Sequence, residues 1–158
     1  MTFPSRIYTT EELEKAIKLV KKGYKHHLKV EGSKKFQDDT FTALQLVRIA
    51  GYYDLLRTYI RRIIEIDGLT QLREADAAIW ANKYTVENPV DAASLFIQKS
   101  HHMKEYLEGK LYFGGAAEKR SVEKRIMFLR DLKKKSKSKS IKDECERLLE
   151  KWSESVFF

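Results

Sequence analysis

Along most of this 158-residue chain, apolar side chains return every three or four positions. The longest such run lies between Phe36 and Gly68, where Leu46, Ile49, Tyr53, Leu56, Ile60 and Ile63 alternate between spacings of three and four. That spacing puts all six on one stripe of an α-helix and on no single face of a strand. It predicts an unbroken helix over residues 38–67, capped by Asp38 or Asp39 and stopped by Gly68 in a left-handed conformation. The segments on either side read the same way. Thr9-Thr10-Glu11-Glu12 has the form of a capping box ahead of Leu13, Ile17, Val20 and Tyr24, which predicts a helix over 10–31 ended by Gly32-Ser33. Thr70 caps a third helix over 70–84, in which Ala75, Ala77, Ala78 and Ala81 permit close backbone approach and Trp80 fills space to one side. Asn88 followed by Pro89 starts a fourth over 89–112, and two more follow over 116–135 and 140–155. The pattern as a whole predicts an all-α, up-and-down bundle of five to six helices, with neighbours crossing at about 20° and no sheet.

Composition sets the scale of this fold. The hydrophobic share of 42% and the length are those of one folded domain, residues 1–158, and only two prolines and seven glycines interrupt the helical pattern. The amino-terminal stretch lacks a basic segment leading into an apolar run, and no stretch is apolar enough to span a bilayer, so a soluble, cytoplasmic protein without membrane contact is expected. The single cysteine, Cys145, has no partner for an intramolecular disulfide and sits at an apolar helical position, which reads as packing.

Charge changes the picture in one place. Of the net +8, residues 118–140 carry ten basic side chains (Lys119, Arg120, Lys124, Arg125, Arg130, Lys133, Lys134, Lys135, Lys137, Lys139) and three acidic ones (Glu118, Glu123, Asp131), a difference of +7. Two readings fit. The lysine and serine alternation over 134–139 has no apolar face, which suits a solvated basic linker before an appended helix over 140–155. Alternatively, the segment contacts nucleic acid without sequence preference, because lysines displace counterions from phosphate without demanding geometry.

The flank of the central stripe carries Asp54, Arg57, Thr58, Arg61, Arg62 and Glu65. Helical spacing sets Arg57 beside Asp54 and Arg61 beside Glu65, so guanidinium groups project from one edge with carboxylates to orient them, an arrangement able to grip phosphate. The segment Arg57-Thr58-Tyr59-Ile60-Arg61-Arg62, with Glu65 just beyond, resembles the Arg-Thr-x-x-Arg-Arg-Ala-Glu signature of ATP:cob(I)alamin adenosyltransferases. Leu72-Arg73-Glu74-Ala75-Asp76 stands where that family has Asn-Arg-Leu-Ser-Asp. The resemblance, over about residues 50–84, implies a ferritin-like bundle and an anion or nucleotide site formed by Arg57, Arg61, Arg62, Glu65, Arg73 and Asp76. That family's amino-terminal triphosphate-wrapping segment has no counterpart before Thr9. The resemblance therefore implies the fold and an arginine-lined site without the activity; the alternative is an active adenosyltransferase using ATP and a corrinoid.

The same family assembles through bundle faces, which, with Tyr52, Tyr53, Trp80 and Phe157-Phe158 as spare aromatics, implies a homo-oligomer. His27 with Glu31 and His101 with Glu105 stand four apart, a spacing compatible with metal coordination. Neighbouring histidines point about 100° apart on a helix, so the pairs His26-His27 and His101-His102 read as exposed or partly buried polar side chains and no metal site is assigned. No catalytic residue stands out.

Overall fold

The structure, a computed structural model, describes residues 10–21, 28–110 and 114–156. Thr9, Tyr24, His26, His27, Phe157 and Phe158 lie outside the described residues, as do residues 22–27 of the helix expected over 10–31, whose last stretch, Lys29–Glu31, is a strand instead. Among the described residues, six helices and four strands follow one another as α1 (Thr10–Lys21), β1 (Lys29–Glu31), α2 (Lys34–Ala50), α3 (Tyr53–Tyr59), β2 (Arg62–Ile66), β3 (Gln71–Arg73), β4 (Ala78–Asn82), α4 (Pro89–Leu107), α5 (Gly115–Lys135) and α6 (Lys139–Val156).

The all-α, ferritin-like bundle is overturned by a four-stranded mixed sheet of order β1-β2-β4-β3. β1, β2 and β4 run parallel, with Val30 opposite Ile63 and Ile63 opposite Ile79, while β3 returns antiparallel to β4 with Leu72 opposite Ile79. The expected rod over 38–67 breaks at Gly51, whose φ of 85° is left-handed. Gly51 N donates to the Arg48 carbonyl and Tyr52 N to the Val47 carbonyl, both at 3.0 Å, the paired bonds of a Schellman stop. A short helix, α3, then leads straight into Arg62-Ile63-Ile64-Glu65-Ile66. Its β-branched residues on both pleat faces suit a central parallel strand. The alanine-rich stretch expected as a third helix is β3, a 3-10 turn over Glu74–Asp76 and β4 instead.

Helix ends elsewhere follow their caps. Ser33 Oγ accepts from Phe36 N at the start of α2, and Asn88 accepts from Asp91 N at the start of α4, with Pro89 at its first position. Gly32 precedes α2 because a Cβ there would meet the Glu65 Cβ at 2.7 Å. That close approach lets Glu65 accept from Ser33 N at 2.9 Å, tying β2 to the first turn of α2.

The sheet has two unlike faces. Val30, Ile63, Leu72, Ile79 and Ala81 join one core with Phe36, Leu44 and Val47 of α2 and with Phe96 and Ile97 of α4. The same core continues through Phe128, Leu129 and Leu132 of α5 to Cys145 and Leu148 of α6. Arg62, Ile64, Ile66 and Trp80 fall on the opposite face by pleat alternation.

Candidate functional site

The C-terminal hairpin concentrates the basic charge. Val122, Ile126, Leu129 and Leu132 give α5 an apolar stripe, against which α6 packs Ile141, Cys145, Leu148 and Trp152. Ser136 and the two residues after it make the turn, with Ser136 N closing on the Leu132 carbonyl at 2.8 Å. Between the two helices on the solvent side runs an open groove of about 660 Å³. Arg130, Lys133 and Lys134 of α5 line one side, Lys142, Glu146 and Glu150 of α6 line the other, and Leu149 supplies an apolar patch. Lys133 reaches across to Glu146, so the groove is cationic in sum but carries carboxylates within it.

Behind the groove a buried network fixes the hairpin to α4. Arg125 is 5% exposed. It donates to the Asp91 carboxylate at 2.6 Å, to Ser94 Oγ at 2.8 Å and to Gln98 Oε1 at 2.9 Å. Gln98 in turn donates to Ser121 Oγ at 3.0 Å, and the Arg125 guanidinium lies 4.3 Å from the centre of the Trp152 ring. Burial pulls the Arg125 pKa down and Asp91 pushes it back up. One side chain thus holds α4, α5 and α6 in register. Sequence reading counted Arg125 only among the ten basic side chains of residues 118–140. The signal it missed is that Arg125 lies within the stripe of Ser121, Val122, Phe128 and Leu129.

The basic segment is less available than its composition implies. Besides Arg125, Arg120 pairs with Glu105 at 3.0 Å, Lys133 with Glu146, and Lys135 Nζ donates to the Ala50 carbonyl at 3.0 Å.

The six residues expected to line an anion or nucleotide site fall on α3, the segment after it, β2, β3 and the 3-10 turn. Arg57 of α3 pairs with Asp54 at 2.8 Å, and the buried Arg61 next to it has its pKa lowered first by burial and then by Arg57. Arg62 and Arg73 lie on the outer sheet face, Arg62 pairing with Glu31 at 3.6 Å and Arg73 stacking 4.3 Å from the Trp80 ring centre. Glu65 is on the inner face, held by Ser33, and Asp76 pairs with Lys15 at 2.8 Å. Of the aromatics counted as spare for self-association, Tyr52, Tyr53 and Trp80 make contacts within the chain. Tyr52 packs edge-on against Phe128 at 5.2 Å and donates to Asp131, Tyr53 lies under Arg48 at 3.7 Å, and Trp80 lies under Arg73. His101 and His102 stand on α4, each pushed down to about 4, chiefly by burial.

Among the described residues no helix is long and apolar enough to cross a membrane. A family model described as Med26, TFIIS helical bundle-like domain, matches residues 119–156, which is α5 from its second turn through the end of α6. This match, on the hairpin and not on residues 50–84, overturns the adenosyltransferase resemblance, whose signature segment folds as a short helix running into a strand. No curated protein and no solved structure matches the chain.

Proposed function

We propose that this chain is an interaction module of the transcription apparatus whose α5–α6 hairpin docks a protein partner. The observation that carries the reading is coincidence: the stretch similar to the Med26 domain, 119–156, is the same stretch that forms the groove. A groove with a basic wall, the apolar Leu149 and two carboxylates suits a polypeptide of mixed character, with acidic side chains for Arg130, Lys134 and Lys142 and an apolar one for Leu149. A transcription role carries a nuclear location with it, in place of a cytoplasmic one.

Nucleic acid is the second reading, favoured by the exposed Lys119, Lys134, Lys137 and Lys139. Glu146 and Glu150 in the groove oppose it by repelling phosphate, and Phe128, the one aromatic in the basic segment, is fully buried and unable to stack on a base.

The deciding experiment is affinity recovery of the full chain from nuclear extract, with and without nuclease, beside a Lys133→Glu, Lys134→Glu, Lys142→Glu variant. The proposal expects nuclease-resistant recovery of transcription polypeptides that the variant loses. Recovery that vanishes with nuclease assigns the surface to nucleic acid. Recovery identical for both chains removes the groove from the function.

A further inference from the structure

The geometry points to a second docking surface, independent of the hairpin: the outer face of the sheet, fitted to an acidic amphipathic helix from another protein. The inner face is closed by α2 and α4 through Ile63, Ile79 and Ala81. On the outer face Ile64 stands opposite Trp80 and one pleat from Ile66, and all three are only half-buried and outside the shared core. A sheet with an apolar strip on each face is completed by a layer on each side.

The rim identifies the occupant. Lys29, Arg62 and Arg73 share this face by strand register, with Glu31 as the one carboxylate of β1 among them. Glu31 pairs with Arg62 at 3.6 Å, and Arg73 lies over the Trp80 ring. An apolar strip with a cationic border complements a helix carrying leucine-like residues at spacings of three and four and carboxylates along its flanks. A second copy of this chain is a poor occupant, since two such faces brought together would oppose Arg62 and Arg73 to their equivalents. Single-stranded nucleic acid is also a poor one, because the face offers one indole, already stacked by Arg73, and two isoleucines where bases need aromatic platforms.

The test uses the full chain and a fluorescein-labelled helical peptide of leucine, alanine and glutamate with leucines three and four apart, read by anisotropy. Saturable binding is expected, weakened about tenfold by Ile64→Ser and by the pair Arg62→Glu, Arg73→Glu, because desolvated anchors and paired charges carry most of such an affinity. The charge pair touches no core residue, so it remains informative should Ile64→Ser disturb folding. In a Lys133→Glu, Lys134→Glu background, which removes the hairpin groove's own attraction for an acidic peptide, the tenfold loss on Arg62→Glu with Arg73→Glu should persist, which separates this face from the groove. Absence of binding, or loss only in the Lys133, Lys134 variant, overturns the proposal. So does binding that arises only after removal of residues 1–9, which would make the chain its own occupant. Displacement of the peptide by oligo-dT would assign the face to nucleic acid. A dimer abolished by Ile64→Ser would assign it to a second copy.

Discussion

Arg125 shows what a single side chain does when its charge is taken into the core. Desolvation opposes burying a guanidinium, and Asp91, Ser94 and Gln98 offset it by filling its donor directions. Arg125→Met removes the cation but leaves the Asp91 carboxylate and Gln98 facing a methyl group. Urea denaturation should show a loss of about 3 kcal/mol, toward the lower end for a broken buried pair because Asp91 is partly solvated. A loss below about 1 kcal/mol would mean that water replaces the network without difficulty. His101 and His102 give the fold a directional pH response. Their folded pKa values, about 4, lie below the ordinary histidine value of 6.5, so the unfolded chain binds more protons between those limits. Stability is therefore full above about pH 6.5 and is lost as pH falls toward 4, with the melting temperature dropping about 2 to 4 °C per kcal/mol lost. Replacing both histidines by glutamine should flatten the melting temperature between pH 7 and pH 5. An unchanged slope would place the proton uptake elsewhere.

At the scale of elements, the helices α4, α5 and α6 were legible from caps and apolar spacing, whereas α2, α3 and β2 merged into one predicted rod. The merger has a physical cause. Leu56, Ile60 and Ile63 are all fully buried, so their spacing is real, but Ile60 and Ile63 reach the core from an extended chain. Ile49, the stripe's remaining misfit, is 46% exposed on the last turn of α2. Two local signals pointed to the break: Gly51 followed by Tyr52 as a left-handed stop, and the isoleucine-rich run ending at Asp67-Gly68 as a strand and turn. Ala78–Asn82 gave little warning, since alanine favours helices and it is pairing with β2 and β3 that holds it extended. Gly51→Ala should cost about 1 kcal/mol, because a Cβ is disfavoured at its φ of 85°. Leu56→Ala, which empties a fully buried position on α3, should cost about 2 to 5 kcal/mol. Chemical denaturation of both variants checks these values; equal losses would imply that α3 relaxes into the void.

Over the whole molecule, charge composition located the basic hairpin but not its groove, whose acidic side comes from Glu146 and Glu150 at helical spacing on α6. Arg57, Arg61, Arg62 and Glu65 share an edge on an unbroken helix, whereas α3 ends at Tyr59 and the pleat of β2 sends Arg62 and Glu65 to opposite faces. The family similarity covers α5 and α6 alone, yet Arg125 of that stretch finds its counter-ion, Asp91, on α4. Expressed by itself, 114–156 should keep a helical far-ultraviolet spectrum and lose fixed near-ultraviolet signals, since Arg125 would lose Asp91, Ser94 and Gln98 of α4 and Phe128 would lose the Tyr52 ring. A sharp, cooperative melt of that fragment would show the hairpin to be autonomous. Otherwise the edges of what is inherited as similarity and of what folds as a unit differ by one helix. Any exchange of this hairpin between proteins must then carry α4, or an equivalent acid, along with it.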